Sequence, residues 1–286
     1  MTSAVLLLSC PDQRGLVHAV AQFVLEHGGN VINAEQHIDH EAGVFFQRVE
    51  FDLETGRGGD LARDQVAPAF APVAEKFGMN VSVRFSDDRP RLAILASREP
   101  HCLADLLARH RAGELPGDVV AVVSNHPDHE DLARFHGIPY HFLPVTPEAK
   151  AAQERQIVEI LQGLDVELVV MARYMQILTP TILDAFPSRI INIHHSFLPA
   201  FIGARPYHQA QARGVKLIGA TAHYATADLD EGPIIAQDVT PVSHRDTVAD
   251  LIRKGRDLET VVLARAVRAH LEHKTLAFGN KTVVFG

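Results

Sequence analysis

The chain has 286 residues, 47% of them hydrophobic and 22% charged, enough for two domains with cores of their own. Its formal net charge of −8, with no Lys/Arg run, argues against a nucleic-acid partner. No apolar run reaches the roughly 18–20 residues that cross a bilayer, and Cys10 and Cys102 form no C-x-x-C pair, which argues against a disulfide framework or a cysteine zinc site. The start, Met1-Thr2-Ser3-Ala4, has neither a basic segment nor a small-residue cleavage site, so a cytoplasmic protein with reduced thiols is expected. With 17 histidines, no single one is strong evidence.

The first segment reads strand, helix, strand, strand, helix, strand. Residues 4–9 are a short apolar run suited to a buried strand. Asp12-Gln13-Arg14-Gly15 turns into a helix carrying Leu16, Val20, Phe23, Val24 and His27 at helical spacing, and Gly28-Gly29 ends it. Residues 31–39 and 44–53 both alternate, and with Glu41-Ala42-Gly43 between them they read as a hairpin. Residues 61–77 have a helical pattern in which Pro68 marks a break, and 80–85 alternate again. This order is the ferredoxin-like α+β motif. Asp87-Asp88-Arg89-Pro90 reads as a linker, which sets the expected domains at 1–86 and 87–286.

Beyond it the strands stop alternating. Residues 92–96, 119–124 and 168–172 are continuous apolar runs, with helical patterns at 103–111, 130–136 and 148–164 and a short strand at 140–143. Strands buried on both faces and separated by helices indicate a Rossmann-like parallel sheet in an α/β domain. Ligands of such sheets lie beyond the carboxyl ends of the strands. Residues 246–273 read as mostly one long helix.

Three stretches carry candidate chemistry. In Ile190-Ile191-Asn192-Ile193-His194-His195-Ser196-Phe197-Leu198-Pro199, Asn192 and His194 are two apart and share a strand face, so an amide and an imidazole converge at the strand's end. His195 faces the other way and reads as structural, and the adjacent pair is poorly placed for one metal ion. On residue type alone, Asn192 and His194 serve equally well as strand-end caps. Thr221-Ala222-His223-Tyr224 is followed by the acidic turn Asp228-Leu229-Asp230-Glu231-Gly232, whose carboxylates either hold a water or a protonated histidine, or form a solvated turn. Met175-Gln176-Ile177-Leu178, ahead of Pro180, either offers backbone groups and apolar side chains to a flat heterocycle or is a plain strand-to-helix turn.

Together, and in this order, the three stretches resemble the folate-dependent formyltransferase fold, whose pattern is N-I-H-x-S-x-L-P, a downstream H-x-x-x-x-x-L-D-x-G-x-I-I-x-Q and an upstream apolar M-x-I-L. The resemblance runs from residue 91 to the end. Residues 4–85 resemble an ACT domain, through Asp12-Gln13-Arg14-Gly15-Leu16 and Gly28-Gly29-Asn30-Val31. An ACT unit ahead of such a core is the arrangement of the formyltetrahydrofolate deformylases. Where the related glycinamide ribonucleotide formyltransferases have a glycine-rich phosphate loop, this chain has Ser97-Arg98-Glu99-Pro100-His101-Cys102; proline removes a donor and Glu99 repels an anion, so water becomes the expected acceptor.

The resemblance implies hydrolysis of 10-formyltetrahydrofolate to formate, which feeds purine synthesis, and tetrahydrofolate, with no metal and no cofactor. It implies catalytic roles for Asn192, His194 and Asp230, and a pterin pocket formed by Met175, Gln176, Ile177, Leu178, Asp228 and Gly232. It further implies a homo-oligomer with an amino-acid effector near Asp12, Gly15, Gly28 and Asn30. The alternatives are formyl transfer to an amine such as glycinamide ribonucleotide, and a non-enzymatic regulator.

Overall fold

The computed structural model describes residues 2–52, 61–146, 148–199 and 206–286. They divide into two compact units. One holds Met1–Asp88, Glu272–Leu276 and Val283–Gly286; the other holds Arg89–Leu271 and Ala277–Thr282. The sequence reading drew two contiguous segments meeting at residue 87, whereas here the C-terminal chain returns to the first unit.

The first unit runs β1 (Ser3–Pro11), α1 (Leu16–Glu26), β2 (Val31–Asp39), β3 (Val44–Asp52), α2 (Val66–Phe77) and β4 (Asn80–Phe85). The antiparallel sheet has the order β2-β3-β1-β4. Alternation along β1 sends Ala4, Leu6 and Leu8 into one core with Leu16, Val20, Phe23 and Phe70 of the helices. Val5 and Leu7 go to the other face, where they meet Phe46 and Phe285. The C-terminal return therefore explains why β1 reads as a continuous apolar run. It also explains why β3 is buried on both faces instead of one. β2 is the reverse case: at the sheet's edge, most of its residues are exposed. Leu53, expected to close β3, lies outside the described residues.

Pro68 does not break the second helix. It sits in the first turn of α2, where a missing N–H costs no helical hydrogen bond, and α2 continues through Pro72 to Phe77.

The second unit runs β5 (Arg91–Ala96), α3 (His101–Arg111), β6 (Asp118–Ser124), α4 (Glu130–Phe135), β7 (Tyr140–Phe142), α5 (Lys150–Gly163), β8 (Leu168–Ala172), α6 (Pro180–Leu183), β9 (Ile190–His194), α7 (Pro206–Arg213), β10 (Leu217–Tyr224), β11 (Ile234–Pro241) and α8 (Val248–Leu271). Its sheet has the order β11-β10-β9-β8-β5-β6-β7. The five strands from β9 to β7 are parallel. β10 and β11 extend the sheet antiparallel, so the Rossmann-like parallel sheet expected from the sequence is the five-strand part of a mixed, mostly parallel sheet. Leu92, Ile94 and Ala96 face α3 and α8, while Ala93 and Leu95 face α5, which accounts for the absence of alternation. A last pair, β12 (Thr275–Phe278) and β13 (Lys281–Val284), forms a two-stranded sheet that the sequence reading missed.

From β5 the chain goes outward to β6 and β7, then crosses back to β8 on β5's other side. The strand order thus reverses between β5 and β8, and ligands of such sheets bind beyond the carboxyl ends of the strands at this switch point. No helix among the described residues is long and apolar enough to cross a membrane.

Candidate active site

The register of β9 with its neighbours sets the chemistry. Antiparallel pairing with β10 puts Asn192 opposite His223 and His194 opposite Thr221. Because side chains alternate along a strand, Asn192 and His194 face one side together. His223 Nδ1 lies 3.0 Å from the Tyr224 carbonyl oxygen, which can only accept, so the ring proton belongs on Nδ1. Nε2 is then an acceptor, and the Asn192 amide donates to it at 3.2 Å. One N–H of Asn192 is spent on this bond, and its second has no partner among the described residues.

Asp230 reaches the same point from the turn between β10 and β11. Its Oδ1 accepts from His194 Nδ1 at 3.2 Å and lies 3.7 Å from His223 Nε2. The hydrogen bond from His194 holds its carboxyl well below the ordinary carboxylate range, against the opposing effect of burial. Two backbone features aim the turn. Asp230 itself has φ 59, the left-handed region. Gly232 packs so closely that a Cβ would stand 1.8 Å from the Tyr224 carbonyl oxygen, so only glycine fits there. With Nδ1 engaged by Asp230, His194 has only Nε2 to offer, and that atom is buried with no hydrogen-bond partner among the described residues. An unpaired buried nitrogen is costly, and here it stands beside a spare amide donor and a carboxylate. The three groups suit addition of an oxygen nucleophile to a carbonyl.

Behind this group, the Thr221 hydroxyl donates to the Ser196 carbonyl at 2.9 Å and accepts from the Leu198 amide and from Gln237 Nε2, each at 3.0 Å. One buried hydroxyl thereby fixes the chain after β9.

Loop 173–179 leaves the carboxyl end of β8. The Met175 amide donates to the Ser97 hydroxyl at 3.0 Å, and that hydroxyl donates to Asn125 Oδ1 at 2.7 Å, tying the loop to the end of β5 across the switch point. Met175 and Ile177 are 59% and 62% exposed, as ligand-facing apolar side chains would be, while Gln176 and Leu178 are half-buried. Asp228 is exposed at the tip of the acidic turn, and Gly232 is buried.

In the first unit, Asp12 and Gly15 precede α1 while Gly28 and Asn30 follow it. Eleven helical residues separate the pairs by about 16 Å, so within one chain a single small molecule meets one pair or the other.

Sequence reasoning passed over His223 as a site residue, although its place in the motif was visible. It also missed a buried ionic network. Glu259 of α8, 1% exposed, accepts from His101 Nε2 at 2.8 Å and from the Tyr207 hydroxyl at 2.8 Å, and stands 3.4 Å from Arg173 Nε. Burial pushes its carboxyl up, but the His101 hydrogen bond and the Arg173 charge outweigh burial and hold it below its ordinary value. Gly255, one turn earlier, leaves room for Tyr207, whose hydroxyl would lie 1.9 Å from a Cβ there. His101, Cys102 and Glu259 bring metal-type donors within 4.8 Å of one another. Burial and Glu259 push the Cys102 thiol well up, which keeps it protonated, and Arg173 already supplies the cation, so the donor set does not fit a metal. His195 lies between this network and the site, its ring centroid 5.0 Å from that of His194 and 6.1 Å from that of Tyr207. Burial and the nearby Arg173 lower its pKa to about 4, so it is neutral at pH 7.

Residues 90–267 match the formyl transferase family and residues 4–58 match the ACT domain family. The chain is 54% identical to a formyltetrahydrofolate deformylase of Synechocystis, over 99% of this chain and 98% of that one. It is 49% identical to the one from Bacillus subtilis, over 98% and 93%. The crystal structure of a formyltetrahydrofolate deformylase from Pseudomonas syringae superposes with a TM-score of 0.97 at 46% identity, covering 100% of this chain and 95% of that one.

Proposed function

The chain belongs to the formyltetrahydrofolate deformylases, and from that membership we propose that Asn192, His194 and Asp230 perform its reaction. The reaction is hydrolysis of 10-formyltetrahydrofolate to formate and tetrahydrofolate. The folate lies at the switch point with its pterin against Met175, Gln176, Ile177 and Leu178 and the turn of Asp228 and Gly232. Asp230 orients a water and supports His194 through Nδ1, and Nε2 of His194 takes the water's proton as its oxygen adds to the formyl carbon. The second N–H of Asn192 and the N–H that this proton creates at Nε2 of His194 stabilise the negative charge that develops on the formyl oxygen. The C–N bond then breaks, the proton passes by way of His194 to the folate nitrogen, and formate leaves.

One observation carries this reading: the buried Nε2 of His194 has no hydrogen-bond partner among the described residues, its opposite nitrogen is held by Asp230 at 3.2 Å, and it lies next to an amide with a second donor. Water as acceptor is supported by the loop after β5. Its Glu99 pairs with Arg256 at 2.6 Å and its His101 with Glu259 at 2.8 Å, so side chains engaged with α8 stand where an anionic acceptor would need free donors. Incubation with 10-formyltetrahydrofolate and no amine tests it. Equal amounts of formate and tetrahydrofolate are expected; release of formyl only after addition of an amine would favour transfer.

For the ACT unit we propose self-association through β2, with an amino acid bound at the resulting interface near Asp12 and Gly15 or near Gly28 and Asn30. The support is an edge strand with exposed Val31 and Ile32, and a further exposed apolar side chain, Leu25 of α1 at 75%. Light scattering with and without amino acids tests it, and a monomer under both conditions would count against it.

A further inference from the structure

Two buried glutamates have no part in the chemistry above, and both end on the same loop. Glu154 of α5 is 2% exposed. Its carboxyl accepts from the Thr179 amide at 3.1 and 3.2 Å and from the Thr179 hydroxyl. Glu259 of α8, 1% exposed, stands against Arg173 at the loop's other end. Arg173 has φ 61, a left-handed conformation that a side chain other than glycine's adopts at a cost, so the surroundings must hold it there. Between the ends, Lys150 donates to the Ile177 carbonyl and Ser97 accepts from the Met175 amide. Loop 173–179 is thus fixed at four points, while Met175 and Ile177 face outward.

Burying carboxyl groups costs several kcal/mol each, and apolar side chains of the same size often serve stability as well. What Glu154 supplies is a hold on the loop's backbone at Thr179, and what Glu259 supplies is a charge beside the Arg173 side chain at the other end. Ordering a free residue costs about 1–2 kcal/mol. A loop that meets a flat heterocycle through its own N–H and C=O groups binds weakly if that cost falls due on binding, and tightly if it has been met in advance.

We propose that Glu154 and Glu259 are positioning residues that clamp the two ends of loop 173–179 and thereby set the affinity for the folate. The inference rests on the folate reading given above.

The test compares Glu154→Gln, Glu259→Gln and the double variant in the full chain, with KM and kcat from formate release and tetrahydrofolate binding by calorimetry. Each glutamine keeps the shape and one acceptor oxygen. Each single change should raise KM and the tetrahydrofolate Kd about tenfold, with kcat within about threefold of the unmodified chain. The double variant should lose less than the product of the two, because both act on one loop. Should Glu259→Gln fail to fold, Thr179→Val takes its place: it should reproduce the Glu154→Gln effect and add little to it. Unchanged KM and Kd, a fall in kcat at constant KM, or fully multiplicative effects would overturn the proposal. A chain that releases no formate at all would instead overturn the folate reading.

Discussion

Replacing Asp230 with asparagine keeps the size of the side chain and removes its charge. The effect on rate can be worked from the geometry. Asp230 Oδ1 accepts from His194 Nδ1 at 3.2 Å, and an ionic hydrogen bond of this kind contributes about 2 kcal/mol. At about 1.4 kcal/mol per decade, its loss slows turnover a little over tenfold. Loss of the charge that orients the water and supports His194 as base adds roughly a hundredfold. Turnover in Asp230→Asn should therefore fall about a thousandfold, measured as formate released from 10-formyltetrahydrofolate under saturating conditions. The fold should survive, because the turn is held by Gly232 against Tyr224 and by the Tyr224 amide on the Pro233 carbonyl at 2.9 Å, neither of which uses the carboxylate. Circular dichroism and the melting temperature check that point. A folded Asp230→Asn protein retaining more than about a tenth of normal turnover would refute the reasoning.

Gly232→Ala should do what Asp230→Asn does not, lowering the melting temperature and the rate together. The new methyl group meets the Tyr224 carbonyl and pushes the turn that carries Asp230, at about 1–3 kcal/mol; normal formate release would show that the turn's position is irrelevant. His195 should make the protein acid-sensitive. Its imidazole takes a proton near 6.5 when unfolded and only near 4 when folded, so between these values the unfolded chain holds the extra proton. Stability from this group is complete above pH 6.5 and is lost as the pH falls toward 4, by roughly 3 kcal/mol at most. Thermal melts across that range should fall more steeply for the unmodified chain than for His195→Gln, and parallel curves would exclude the effect.

Much of the site was legible because its signals are local. A period of two places Asn192 and His194 on one face wherever the strand lies, and apolar runs without alternation announce strands covered on both sides. What stayed hidden depends on partners distant in the chain. Glu154 and Glu259 sit in helical patterns where a glutamate reads as solvent-facing, and only the fold brings Thr179, Arg173, His101 and Tyr207 to them. His223 was visible as a residue, but its pairing with Asn192 needs the β9–β10 register. The exposure of β2 and the burial of both β3 faces follow from sheet order and from Phe285 packing over 200 residues away. Pro68 misled because a proline is read as a stop unless the helix start is known to within a residue or two.

The Tyr224 carbonyl has a consequence for proton traffic. By claiming the Nδ1 proton of His223 it makes that ring a fixed acceptor, locked by the Asn192 amide on its other side. A ring held in one tautomer at both nitrogens cannot relay. In the proposed reaction proton transfer therefore falls to Nε2 of the neighbouring imidazole, a choice that main-chain geometry makes before any substrate arrives.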